Sequence, residues 1–220
     1  GKLKHKQLYE LWKLEISKNP LTDITIGIDT IENMVSKIKE QPWPIYKIKL
    51  GTSEDVHIIE ELRKHTDSVF RIDANAAWKA DEALKKINIF KELNVEFIEQ
   101  PLAKEDWEGM KFLYGKSPLP LIADESSVFE HDVEKCKNHF HGINIKLTKC
   151  SGITPALRMI EKARELDIKV MVGCMNESSI GTGAIAQLLP MLDYVDMDGP
   201  LLLAEDVAKG VEFDYGKIIY

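Results

Sequence analysis

Cysteine is scarce, with three in 220 residues, at positions 136, 150 and 174. Their odd number and wide spacing suit neither a disulfide framework nor a Cys-x-x-Cys metal knuckle. They are expected to be reduced thiols of a cytoplasmic protein. No apolar run reaches the length needed to cross a bilayer, and no basic–apolar–small leader opens the chain. Positive charge is in the minority, with a formal net charge of −7. That argues against nucleic acid or an anionic membrane as a partner, since both want a basic face. No G-x-G-x-x-G follows the first β-rich run and no G-x-x-x-x-G-K-[ST] occurs, so nucleotide binding has no local support. An initiator methionine is also missing. The chain opens on the Lys-rich, helix-like "GKLKHKQLYELWKLEI", as expected for the interior of a longer gene product.

What is present is a repeat of strand and helix. Hydrophobic residues make up 44% of the chain, enough for a substantial core. Eight β-rich runs stand at 22–28, 45–51, 68–75, 95–101, 119–126, 142–149, 169–176 and 194–200, with starts every 23 to 27 residues. Between them lie stretches of helical period, such as "DVHIIEELRKH" and "ITPALRMIEKARELD". Strands alternating with helices imply parallel βαβ units. Eight strands with seven intervening helices point to an α/β fold of TIM-like barrel type, with an open doubly wound sheet as the alternative.

In a barrel, chemistry sits at the C-terminal ends of the strands. Those ends carry Lys47 and Lys49, Asp73 and Asn75, Glu99, Asp124 and Glu125, Lys146, and Asp196 and Asp198. Any one of them could simply meet solvent. As a set they say more. Asp73, Glu99 and Asp124 end three consecutive strands, so three carboxylates converge and repel unless a cation joins them. Hard oxygen donors favour one Mg²⁺, with Mn²⁺ possible.

Lys49 and Lys146 lie on strands four apart in a ring of eight, and so face each other across the mouth. With a substrate carboxylate on the metal, one lysine can take the α-proton and the other return it on the opposite face, through an enediolate. Lys47 shares a strand face with Lys49. It is expected to hold the substrate carboxylate and to depress its neighbour's pKa. Asp196 and Asp198 also share a face, and suit a cationic group of the substrate.

Taken together, "KIKLG", "RIDANAAW", "FIEQPL", "IADES" and "NIKLTKCSGI" resemble the enolase superfamily in its muconate-lactonising subgroup. A Lys or His base with Mg²⁺ is that superfamily's own chemistry. The resemblance implies a (β/α)₇β barrel, with Asp73, Glu99 and Asp124 as metal ligands, Lys49 and Lys146 as acid and base, and Lys47 on the substrate carboxylate. "DMDGP", "TIGID" and "GCMNESSIG" are similar to the dipeptide epimerases, whose D-x-D holds a substrate α-ammonium. The implied reaction is epimerisation of a small dipeptide of the L-Ala-D/L-Glu type, in the recycling of cell-wall peptides.

The resemblance also divides the chain. Residues 1–20 look like the end of an N-terminal capping domain, 21–200 like the catalytic barrel and 201–220 like a tail returning to the cap. Without the cap the mouth is open to water, and low activity is expected from this chain alone. A homo-oligomer is possible.

Other readings stay open. Cycloisomerase, o-succinylbenzoate synthase or acylamino-acid racemase chemistry needs no acidic pair for an ammonium. A class I aldolase would use Lys146 in a Schiff base and no metal. A truncated barrel could bind metal without chemistry. Trp78 and Trp107 are expected to pack, and His57 and His65 to lie on the surface. Cys174 and Met175 are expected at the pocket wall. Glu125 is expected on the opposite strand face from Asp124, and Lys149 has no assigned role.

Overall fold

The β-branched runs form eight strands in the computed structural model, which describes residues 1–16 and 19–220. They are β1 (Ile24–Ile26), β2 (Ile45–Lys49), β3 (Val69–Asp73), β4 (Val95–Glu99), β5 (Leu121–Ala123), β6 (Gly142–Lys146), β7 (Lys169–Gly173) and β8 (Tyr194–Asp196). Each pairs in parallel with the next, in the order of the sequence. Thr22 bridges Val195 in parallel, and its hydroxyl accepts from the Met197 N–H at 2.8 Å. The last strand thereby meets the first, and the order has no switch point. Both observations exclude the doubly wound alternative.

A single helical turn, α1 (Leu8–Leu11), precedes the barrel. Between successive strands run α2 (Ile31–Glu40), α3 (Asp55–Arg63), α4 (Ala80–Phe90), α5 (Trp107–Tyr114) and α6 (Glu130–Cys136). A one-turn helix, α7 (Leu147–Cys150), follows β6 and leads into α8 (Ile153–Glu165); α9 (Ser179–Ala186) joins β7 to β8. Among the described residues, seven helices of at least seven residues thus separate the eight strands. The sequence explains each locally. In α2, Thr30 caps the first turn by accepting from the Asn33 N–H at 3.3 Å. Glu32 opens the helix, Lys37 and Lys39 close it, and Met34, Val35 and Ile38 form the buried stripe. Cap, dipole and amphipathic face agree.

The strands end earlier than the sequence patterns predict, because the backbone turns where the polar residues begin. Gln100, Asn75 and Ala76 take φ of +35°, +42° and +64°, a region that L-residues rarely occupy. Asp73 Oδ1 accepts from the Asn75 N–H at 3.0 Å and closes that turn. The strand predicted over 142–149 stops at Lys146, and Lys149 lies on α7.

The predicted N-terminal helix reduces to a 3₁₀ turn (Lys2–Lys4) and α1. So short a segment gains little from helix formation. Ser17 and Lys18 of the predicted 1–20 segment lie outside the described residues. Residues 201–220 contain an antiparallel hairpin, β9 (Glu212–Asp214) and β10 (Lys217–Ile219). Tyr220 meets Tyr9 of α1 edge-on at 5.7 Å, and Gly216 O accepts from the Thr22 N–H at 2.9 Å. Among the described residues, no helix is long and apolar enough to cross a membrane.

Strand alternation sorts the core. Ile48, Ile72, Ile98, Ile145, Val172 and Val195 are buried in the main hydrophobic cluster with the helices. Each such side chain contributes about 1.5–3 kcal/mol. A separate cluster of Phe97, Ile122 and Met171, with Tyr194 against it, fills the barrel interior two residues before Glu99, Asp124, Gly173 and Asp196. A barrel interior is normally packed with branched aliphatic residues. Here the layer above the aromatic plug is ionised.

Candidate active site

The centre of that layer is Lys47, only 2% exposed. Its ammonium lies 2.8 Å from Glu99 Oε2, 2.9 Å from Asp196 Oδ2 and 3.4 Å from Asp73 Oδ2. Strand register brings these together: Lys49 pairs with Asp73, and Asp73 with Glu99. Burial would lower the Lys47 pKa, but Asp196, Glu99 and Asp73 outweigh it and hold the ammonium well above its ordinary value. Lys47 therefore sits on the floor of the site rather than at its mouth. Its charge is largely answered there by three carboxylates.

Lys49 occupies the rim. Its side chain is 29% exposed and its ammonium lies 2.6 Å from Asp73 Oδ2, with Asn75 Oδ1 at 3.3 Å. Across the ring, Lys146 Nζ lies 2.8 Å from Asp124 Oδ2 and Lys149 Nζ lies 2.9 Å from Asp124 Oδ1. Burial pulls the Lys146 pKa down, but Asp124 and Glu99 outweigh it and raise it. Each of the two lysines is thus ion-paired to a carboxylate, Lys49 to Asp73 and Lys146 to Asp124.

The carboxylates are just as unequal. Burial would raise Asp196, but Lys47 outweighs it and holds its pKa at about 2. Asp73 is lowered in the same way, with Lys47 and Lys49 opposing burial. Glu99 goes the other way: burial, then the charge of Asp73, pushes its pKa up to about 7 against Lys47. Asp198 is raised to about 6 by burial and then by Asp196, although Thr25 donates its N–H to Asp198 Oδ2 at 2.7 Å.

One open cavity of about 510 Å³ lies above this layer, with Asp73 and Glu99 beneath its wall rather than on it. Its walls include Lys47, Lys49, Asp124, Lys146, Lys149, Asp196 and Asp198, together with Thr25, Asn75, Glu125, Cys174 and Met175. Glu125 departs from expectation here. β5 ends at Ala123, so strand alternation no longer applies, and Glu125 turns into the cavity beside Asn75 Nδ2 at 3.4 Å. Cys174 and Met175 lie at the wall, as expected. Trp78 is buried and donates to Asp55 at 2.7 Å. Trp107 packs edge-on against Phe140 at 6.3 Å, and His57 and His65 are exposed.

The predicted ligands fit a hard divalent cation. Glu99 Oε2 is buried and has no hydrogen-bond partner. The nearby Lys47 ammonium is an ionic contact at 2.8 Å without hydrogen-bond geometry. A carboxyl raised toward neutrality beside the charge of Asp73 is relieved by a dication, and Asp73, Glu99 and Asp124 supply the oxygen donors such an ion prefers. Their orientations differ from the predicted convergence, because Asp73 and Glu99 turn to Lys47 and Asp124 turns to Lys146 and Lys149.

Among the described residues, the three ligating groups with atoms within 4.8 Å of one another are Cys174, Asp196 and Asp198. That set suits Mg²⁺ poorly. Its thiol is pushed far up by burial and then by Asp196, and Lys47 already neutralises Asp196.

The residues beneath the site were not among those expected from the sequence. Arg71 is buried. It donates Nη1 to Asp23 Oδ2 at 2.8 Å and to Val195 O at 2.9 Å, and Nε to Glu96 Oε2 at 2.7 Å. Asn144 donates to Glu99 Oε1 at 2.7 Å. Gln100 ties two site loops: its Oε1 accepts from the Asp124 and Ser126 N–H groups at 3.0 and 3.1 Å. The signal for two of them was available. Arg71 precedes Asp73, and Asn144 precedes Lys146, by one strand period.

Comparison with known proteins agrees with this geometry. The family described as Enolase C-terminal domain-like matches residues 29–216. An L-Ala-D/L-amino acid epimerase of Flavobacterium johnsoniae is 58% identical over 217 residues, covering 99% of this chain and 65% of that protein. An L-Ala-D/L-Glu epimerase of Bacteroides thetaiotaomicron is 43% identical, over 99% of this chain and 58% of that protein. The crystal structure of a dipeptide epimerase from Cytophaga hutchinsonii, complexed with Mg and the dipeptide D-Ala-L-Val, superposes with a TM-score of 0.90 at 30% identity, covering 97% of this chain and 62% of that one. The chain thus spans less than two-thirds of the length of each of these proteins. The match begins just after β1, takes in β2 to β8 and ends in the turn of the terminal hairpin, so the chain belongs to the enolase C-terminal domain-like family.

Proposed function

We propose that the chain carries the catalytic barrel of a Mg²⁺-dependent dipeptide epimerase of the L-Ala-D/L-Glu type. The observation that carries this reading is one cavity lined by Lys49 and Lys146 from strands four apart, with Asp196 and Asp198 on its wall. Two amines on opposite sides of a bound α-carbon invert it by removing a proton from one face and supplying one to the other. Lys49 and Lys146, each paired to a carboxylate, supply the acceptor and the donor. The roles exchange for the opposite epimer.

Asp73, Glu99 and Asp124 would hold the cation, which when bound would stabilise negative charge on the substrate carboxylate. Lys47 on the floor, paired with Asp73, Glu99 and Asp196, steadies the ligand carboxylates beneath the substrate. Asp196 and Asp198 hold the α-ammonium. Such a pair has no purpose for an acylated substrate, whose nitrogen carries no charge. The names of the relatives support the dipeptide class, and the Mg of the Cytophaga complex supports the metal.

The test is epimerisation of L-Ala-L-Glu followed by proton NMR, with Mg²⁺ or with chelator, by this chain and by a longer chain restoring the relatives' length. Turnover that needs Mg²⁺, is faster in the longer chain and falls in Asp198→Asn supports the reading. Turnover indifferent to chelator and to Asp198→Asn overturns it.

A further inference from the structure

Beneath the cavity floor two buried carboxyl groups meet. Asp23 stands just before β1 and Asp196 ends β8. One oxygen of each has a donor: Arg71 Nη1 lies 2.8 Å from Asp23 Oδ2, and Lys47 Nζ lies 2.9 Å from Asp196 Oδ2. The other oxygen of each, Oδ1, is buried with no hydrogen-bond partner. Thr22 bridges Val195 in parallel, so the residues that follow them, Asp23 and Asp196, stand side by side where β8 meets β1. Two carboxylates are both acceptors and cannot satisfy each other, whereas a carboxylic acid and a carboxylate can. One proton between them answers both orphaned oxygens.

We infer that Asp23 is a neutral carboxylic acid at physiological pH, donating to Asp196 Oδ1, and that it is a positioning residue which fixes Asp196 for a cationic ligand group. The distribution of charge decides which of the two holds the proton. From β2, Lys47 contacts Asp196 directly. From β3, Arg71 divides its charge between Asp23 and Glu96 of β4. From the β8 end, Asp198 adds a second negative neighbour. Asp196 is thus the better-supported anion. Burial acts in the same sense: it and then the charge of Asp196 raise Asp23 well above the carboxylate range against Arg71 and Lys47. The result is a floor on which Asp196 keeps a full charge and one orientation, held by Lys47 on one oxygen and by Asp23 on the other.

Infrared spectroscopy reads the proton without reference to activity. At about pH 7.5 the spectrum of Asp23→Asn is subtracted from that of the wild type, so that bands of Glu99 (about 7) and Asp198 (about 6), common to both, cancel. The difference is then expected to show a carboxylic C=O band of the wild type that shifts in D₂O. The kinetic arm rests on the dipeptide reading. Asp23→Ala should raise KM for L-Ala-L-Glu about tenfold with little change in kcat. Asp23→Asn, whose amide offers the same acceptor and donor, should rescue most of that loss and unfold near the wild-type denaturant midpoint. A difference spectrum without that band overturns the inference. An asparagine variant as damaged as the alanine variant would instead mean an ionised Asp23. If no dipeptide is turned over, the infrared and unfolding arms still decide.

Discussion

Lys47→Met removes the ammonium shared by Asp196, Glu99 and Asp73 while keeping an unbranched side chain in the barrel. The loss is bounded from above by Coulomb's law: at an effective dielectric of about 20, the 2.8 Å contact to Glu99 is worth about 6 kcal/mol. The variant can relax by taking up a proton, because Glu99 titrates at about 7 even with the lysine present. Asp196 and Asp73 remain, and a buried charge left without its partner costs about 3–5 kcal/mol. We expect a loss of about 4 kcal/mol near pH 8.5, or about 10 °C in Tm for a chain of this size.

The pH dependence has a defined sign. In the wild type, Asp196 is depressed to about 2, so its contribution is complete above about pH 4 and is lost as pH falls toward 2. In Lys47→Met the orphaned carboxyls lie above their unfolded values and bind protons in the folded state. Stability of the variant therefore falls as pH rises, and the gap to wild type narrows to about half near pH 5.5. Urea unfolding followed by tryptophan fluorescence, in chelator at about pH 5.5, 7 and 8.5, measures this. A loss under about 1 kcal/mol at the highest pH, or one independent of pH, would refute the claim that Lys47 neutralises the floor.

Asp198 is raised to about 6, so the folded chain binds a proton there more tightly than the unfolded one. Its contribution to stability falls as pH rises from about 4 to about 6, and Asp198→Asn should flatten that part of a Tm-against-pH curve. On the same grounds KM for a cationic dipeptide should rise below about pH 6, and a flat KM profile would contradict it. Asp55 is buried and accepts from the Gly51 and Thr52 N–H groups at 3.0 and 2.7 Å, from Thr52 Oγ1 at 3.0 Å, from Trp78 Nε1 at 2.7 Å and from Lys86 Nζ at 2.8 Å. Asp55→Ala leaves the Gly51, Thr52 and Trp78 donors unpaired behind the Lys49 loop, while Lys86 keeps Glu82 at 2.6 Å. It should destabilise by about 3–5 kcal/mol in denaturant titration, and a change under about 1 kcal/mol would show the anchor to be dispensable.

The eight strands and their order were legible because period and spacing recur along the chain, and because parallel neighbours follow from intervening helices. The site was legible wherever a polar residue interrupted an apolar strand, as Asp73, Glu99 and Lys146 do. Three things were not legible. Strand ends depend on local turns, such as the one Asp73 closes with Asn75, and so Glu125 was placed on the wrong side. Depth in the barrel is not written in alternation, so Lys47 and Lys49 share a face yet differ between floor and rim. Partners far apart in sequence arise only in the folded sheet: Arg71 reaches Asp23, 48 residues away, across β2, and Lys47 reaches Asp196, 149 residues away, when β8 closes on β1.

The central claim is that Lys49 and Lys146 act on opposite faces of one α-carbon. It is tested most directly by deuterium wash-in from D₂O with L-Ala-L-Glu and L-Ala-D-Glu, in wild type, Lys49→Ala and Lys146→Ala. Wild type should exchange the α-proton of both epimers, and each variant should lose exchange from one epimer while keeping some with the other. If both variants exchange both epimers at the wild-type rate, the two-lysine account is wrong.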